Sequence, residues 1–178
     1  MSTLINSKGK IYTKLDLVNQ MLSPVQIGKF IVSYEAEQFI ENELHEGNAI
    51  QLFQFIPANM LLLCQEKELM QTKVSVFKNQ AAELSQPRFE ASQIPHTNSG
   101  KEFHFIFDGS YIIYFNINEE HLSLIVQAGD WMFIPAGVEV WIKETQDQYL
   151  VIASYHSEPF ELFHSKIKYT STQSHAFI

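Results

Sequence analysis

The chain has 178 residues, 46% of them hydrophobic and 13% aromatic, with a formal charge of −8 and a pI near 5.3. That length suits a single domain (1–178) able to bury its own core, and the acidic balance excludes the basic field that nucleic acid or an anionic membrane surface requires. The lone cysteine, Cys64, rules out an intrachain disulfide.

The N-terminal stretch "MSTLINSKGKIYTKLDL" carries charges and no sustained apolar run, so no signal peptide is expected and the location is read as cytoplasmic. "TKLDLVNQML" puts Leu15, Val18 and Leu22 on one helical face, closed by Ser23-Pro24. "GKFIVSY" is a short β-type run. "YEAEQFIENELHE" spaces Phe39, Ile40 and Leu44 for an amphipathic helix that Gly47 stops. "NAIQLFQFIPANMLLLCQEKEL" reads as a second helix that Pro57 kinks or divides, with Cys64 a buried structural thiol in its apolar run. Its longest apolar part is too short and too polar to span a bilayer. "TKVSVFK" alternates as a strand, with Val74 and Val76 on one side.

From about residue 88 the character changes. "EFHFIFDG", "SYIIYFNI", "HLSLIVQAG", "DWMFIPAG", "VEVWIKE" and "QYLVIASYH" are short and rich in β-branched and aromatic residues, as an antiparallel sandwich or barrel requires. Asp108-Gly109, Asn118-Glu119 and Ala128-Gly129-Asp130 supply turns. The predicted organisation is a helix-rich portion (1–87), a β-barrel (88–165) and a flexible tail (166–178) that includes "STQSHAFI".

Two stretches of the barrel carry recognisable spacing: His96-x-Asn98-x-x-x-Glu102 followed by Gly109, and Gly129, five residues, Pro135-x-Gly137, two residues, Val140. The pair resembles the two motifs of the cupin superfamily, a double-stranded β-helix (jelly-roll) barrel; the first motif's opening glycine is Glu90 here and the second's closing asparagine is Glu144. Within that superfamily the layout is similar to acireductone dioxygenases, with "KEFHFIFDGS" resembling the segment around the family's ligand carboxylate. The resemblance covers the whole chain in layout and about fifty residues in motif. It implies metal ligands at His96, Asn98, Glu102 and Val140, of which two are retained. An isopropyl group coordinates nothing, and a carboxamide is a poor donor for Fe(II) or Ni(II) beside imidazole. The family's substrate-binding arginines fall at His104 and Ser154, so the family reaction is expected to be lost.

Strand alternation turns Glu102 and His104 to one face. His96, Glu102 and His104 are therefore the candidate catalytic groups, and His104 is the candidate for completing a two-histidine, one-carboxylate set with His96 and Glu102 if it leans back along its strand. The alternative for His104 is a satisfied core histidine among Phe103, Phe105 and Phe107, which are read as facing the helical half. Asn98, Val140, Ser154 and His156 are expected to line the substrate pocket, although the direction of His156 is left open by the sequence. Glu139 is expected outside the barrel.

Three functions are consistent with these residues. The first is small-molecule binding or non-oxidative acid–base work in the barrel, with no metal or a weakly bound divalent ion (Fe, Ni, Mn or Zn). The second is a dioxygenase-type, metal-dependent oxidoreductase using the rebuilt His96, Glu102 and His104 set on a different small molecule. The third is an interaction protein that kept only the barrel. The resemblance further implies a homodimer.

Overall fold

The structure is a computed structural model that describes residues 2–78, 95–97, 99–144, 149–157 and 167–174. Its strands, in chain order, are β1 (Thr3–Asn6), β2 (Ile11–Tyr12), β3 (Gln26–Lys29), β4 (Gln71–Lys78), β5 (His96–Thr97), β6 (Glu102–Asp108), β7 (Ser110–Ile117), β8 (Glu120–Gln127), β9 (Asp130–Ile134), β10 (Glu139–Glu144), β11 (Tyr149–His156) and β12 (Ile167–Ser174). They form two six-stranded antiparallel sheets, β2-β1-β8-β7-β10-β5 and β12-β4-β11-β6-β9-β3. Helices α1 (Leu15–Leu22), α2 (Tyr34–Asn42) and α3 (Ala58–Glu66), with a 3-10 helix over Ala49–Phe55, come from the first half. The expected jelly-roll barrel with a helical N-terminal portion is what the chain builds.

The two sheets bury their faces differently, and the sequence of each strand records which. Strands β7 and β8 alternate buried and half-exposed residues, because one face meets the interior and the other meets solvent. Strands β6 and β11 are buried almost without a break. Their inner face joins the core between the sheets through Ile106 and Ile152. Their outer face lies under the helical half: Phe103, Phe105, Phe107, Ala153 and Tyr155 pack with Phe39, Leu52 and Phe53. Ring contacts fix that second layer, with Phe30 edge-on to Phe105 at 5.5 Å and to Phe107 at 5.3 Å, and Phe53 edge-on to Tyr155 at 4.9 Å. Each such pair adds roughly 1 kcal/mol beyond burial. Cys64 belongs to this layer, and burial pushes its thiol up to about 12, which makes it an inert packing group.

Several local readings change. Pro57 divides the expected long helix, capping α3 while the segment before it tightens into a 3-10 turn. The "GKFIVSY" strand is displaced: β3 ends at Lys29, because Ile31 is 83% exposed and the chain must turn into α2, whose cap Ser33 accepts the Ala36 N–H at 3.2 Å. Strands β1 and β2 are too short to leave an alternation. Within the expected flexible tail, Ile167–Ser174 is instead strand β12 along β4, an edge that the next strand's backbone satisfies, while residues 175–178 of "STQSHAFI" lie outside the described residues.

Candidate functional site

Antiparallel register sets the side chains of the inner face side by side. On β6 and β11, Glu102 lies opposite His156 and His104 opposite Ser154; on β11 and β4, Ser154 lies opposite Lys73 and His156 opposite Gln71. Alternation puts Glu102 and His104 on the Ile106 side of β6, and Ser154 and His156 on the Ile152 side of β11, so all four turn to the interior. Val74 and Val76 pack toward the helices, which leaves Lys73 and Ser75 on the inner face of β4. The result is a polar patch on one sheet facing an apolar wall that includes Ile113, Phe115 and Val140 from the other.

Within the patch His104 does lean back along its strand: its Nε2 lies 2.7 Å from Glu102 Oε2, with both residues buried. Ser154 Oγ lies 2.8 Å from His156 Nε2 and 3.3 Å from the Lys73 carbonyl oxygen. His156 Nδ1 is 4.0 Å from Glu102 Oε1, and the two imidazoles stand edge to face at 6.0 Å. Burial, reinforced by the charge of Lys73, pulls His104 down to about 3. Burial, then His104 and Lys73, holds His156 well below its ordinary value. Both imidazoles are therefore neutral at physiological pH, and the contact with Glu102 is a hydrogen bond donated by neutral His104 rather than an ion pair. Across the interior, burial raises the Tyr111 phenol, and the carboxylates of Glu102 and Asp130 raise it further.

Of the residues singled out by sequence, Glu102, His104, Ser154, His156 and Val140 meet in this one interior. Glu139 is outside, accepting the Asn116 side-chain N–H at 2.8 Å. His96 is the strand partner of Val140 in β5, so its backbone borders the interior. The His96 side chain and Asn98 lie outside the described residues. Lys73 and Tyr111 were missed; alternation in "TKVSVFK" would have flagged Lys73, because it opposes Val74 and Val76.

Of the donor set that the resemblance implies, the two described members, Glu102 and Val140, do not by themselves fit a divalent metal. Val140 is fully buried in the apolar wall at the position of the ligand from the opposite sheet, and the Glu102 carboxylate is engaged by His104. Among the described residues no group of three or more His, Cys, Asp or Glu side chains is arranged to hold a metal ion. None of the helices among them is long and apolar enough to cross a membrane.

No protein-family model and no curated protein matches the sequence. Solved structures do match the fold. An acireductone dioxygenase from Bacillus anthracis, solved with a cadmium ion in its active center, superposes with a TM-score of 0.76 at 15% identity, over 89% of this chain and 94% of that one. An oxalate decarboxylase aligns with a TM-score of 0.38 at 11% identity, over 62% of this chain and 25% of that chain. The Bacillus subtilis oxalate decarboxylase at pH 4.6 gives 0.33 at 15% identity, over 61% of this chain and 28% of its own. The fold of this chain is thus similar to that of the acireductone dioxygenase over nearly the whole length of both.

Proposed function

We propose that the barrel interior binds a small molecule and performs non-oxidative acid–base chemistry on it, with Glu102 and His104 as the proton-handling pair and no divalent metal, or only a weakly held one. The observation that carries this reading is the buried 2.7 Å contact between His104 Nε2 and Glu102 Oε2. In that arrangement Glu102 Oε1 is the proton acceptor, and the neutral His104 N–H stabilises the carboxylate through Oε2. His156 and Ser154 position the ligand beside Oε1, and Val140 presents hydrocarbon where a metal-binding cupin would present a ligand.

Elemental analysis of the purified protein, followed by titration with Fe(II), Mn(II), Ni(II) and Zn(II), tests the reading. Substoichiometric metal and no thermal stabilisation by any of the ions are expected. A stoichiometric ion that Glu102→Gln releases would overturn it in favour of a metal-dependent oxidoreductase.

A further inference from the structure

A surface cleft lies apart from the barrel interior, where α1 passes into β3. It has a volume of about 520 Å³ and is lined by the segment from Ser23 to Ile27 together with Asn19 and Trp131. Hydrogen bonds set its shape. Asn19 sits inside α1, where asparagine is a poor helix former. Its carboxamide takes the place of a strand neighbour: Nδ2 donates to the Ile27 carbonyl oxygen at 2.9 Å, and Oδ1 accepts the Ile27 N–H at 2.7 Å. Among the described residues β3 is an outer strand of its sheet, so this pair of bonds satisfies the edge and fixes the gap between helix and strand.

The indole of Trp131 is held as firmly. Gly28 is its cross-strand partner, and a Cβ at Gly28 would overlap three adjacent ring atoms, Cζ2, Cε2 and Nε1. The ring therefore lies over the one position of β3 without a side chain, and Phe103 packs against it at 5.1 Å. Alternation turns Gln26 to the same face as Gly28, which brings its carboxamide to the side of the indole. Ser23 and Gln26 are exposed, and their side chains hydrogen-bond to none of the described residues. None of the lining residues is ionisable.

We propose that this cleft binds a neutral hydroxylated ring of the pyranoside class, one face stacked on Trp131 and its hydroxyls held by Gln26 and Ser23. The C–H groups on a pyranoside face carry the partial positive charge that the negative face of an indole attracts. Neighbouring hydroxyls donate and accept at once, and so does a carboxamide. A charged ligand finds no counter-ion here and loses its hydration without compensation. A plain aromatic ring leaves the polar groups of Ser23 and Gln26 covered and unpaired. The volume suits a mono- or disaccharide. Trp131 belongs to the layer on the helical side of its sheet, whereas Glu102 and His104 face the interior, so the site stands or falls apart from the acid–base reading.

The test titrates methyl β-glucoside, methyl β-galactoside and methyl α-mannoside into the full chain, with methyl β-glucuronide and nicotinamide as the charged and the plain aromatic probes. Binding is read by calorimetry and by tryptophan fluorescence; Trp141→Phe leaves Trp131 as the sole tryptophan, so the fluorescence reports the cleft itself. The best of the three glycosides should saturate with a Kd on the order of 1 mM, about tenfold tighter than the glucuronide or nicotinamide. Gln26→Ala, at an exposed position, should weaken it about three- to tenfold. Gly28→Ala, whose methyl group displaces the indole, should weaken it about tenfold or more. Melting temperatures of the free variants report folding, and if Gly28→Ala does not fold, Gln26→Ala alone decides. The proposal is overturned by no saturable binding of any glycoside up to about 100 mM, by an affinity that Gln26→Ala leaves unchanged, or by glucuronide or nicotinamide binding as tightly as the best glycoside.

Discussion

Acidification should unfold this protein through its two interior histidines well before the carboxylates titrate. In the folded chain His104 is pulled down to about 3 and His156 well below its ordinary value, both chiefly by burial. In the unfolded chain both return to 6.5, the ordinary histidine value. Between the folded and unfolded pKa the unfolded state binds more protons, so stability rises with pH and is lost as the pH falls through 6.5. For His104 the loss between pH 7 and pH 5 is roughly 2 kcal/mol, and His156 adds to it in the same direction, a large part of a domain's margin. Urea unfolding at a series of pH values measures it directly. His104→Gln supplies the control: its amide can still donate to Glu102, while one titrating group is gone, so the slope of stability against pH should fall by the roughly 2 kcal/mol that His104 contributes between pH 7 and pH 5. An unchanged slope in the variant, or a wild-type stability that is flat from pH 7 to 5, would refute the claim that these imidazoles are buried and neutral.

Three further outcomes follow from single positions. Gly109 holds φ at +79°, and a Cβ there would lie 2.1 Å from the Tyr149 carbonyl oxygen, so Gly109→Ala should cost about 3 kcal/mol in chemical denaturation. Asp130 is fully buried and accepts from Ser2 Oγ and the Gln127 N–H, each at 2.9 Å, while pairing with Lys29; Asp130→Ala should cost about 3 kcal/mol and free the first strand, seen as faster amide exchange in β1. Asn118 and Glu119 turn from β7 to β8 with φ of 52° and 63°, so Glu119→Gly should stabilise by about 0.5–1 kcal/mol, measured as a raised melting temperature.

Much of the architecture was legible because a sheet writes its burial into its strands. "SYIIYFNI" alternates since one face is wet, and "EFHFIF" does not since both faces are covered; the phenylalanines at 103, 105 and 107 announced a helical layer before any coordinates. The turn residues and the glycines at 109, 129 and 137 likewise follow from local backbone demands, all three adopting positive φ. The short β1, β2 and β5 and the terminal β12 were not legible, because two to four residues carry no period and an edge strand is specified by the neighbour it satisfies. The site divided along the same line. Alternation alone put Glu102 and His104 on one face, and the motif spacing singled out Val140. Sequence could not decide which residues of other strands stand beside them, since cross-strand neighbours are fixed by register, a property of two strands at once. Tertiary structure alone therefore set His156 opposite Glu102, drew Lys73 into the row of Ser154 and His104, and made the imidazoles neutral by closing both layers over them.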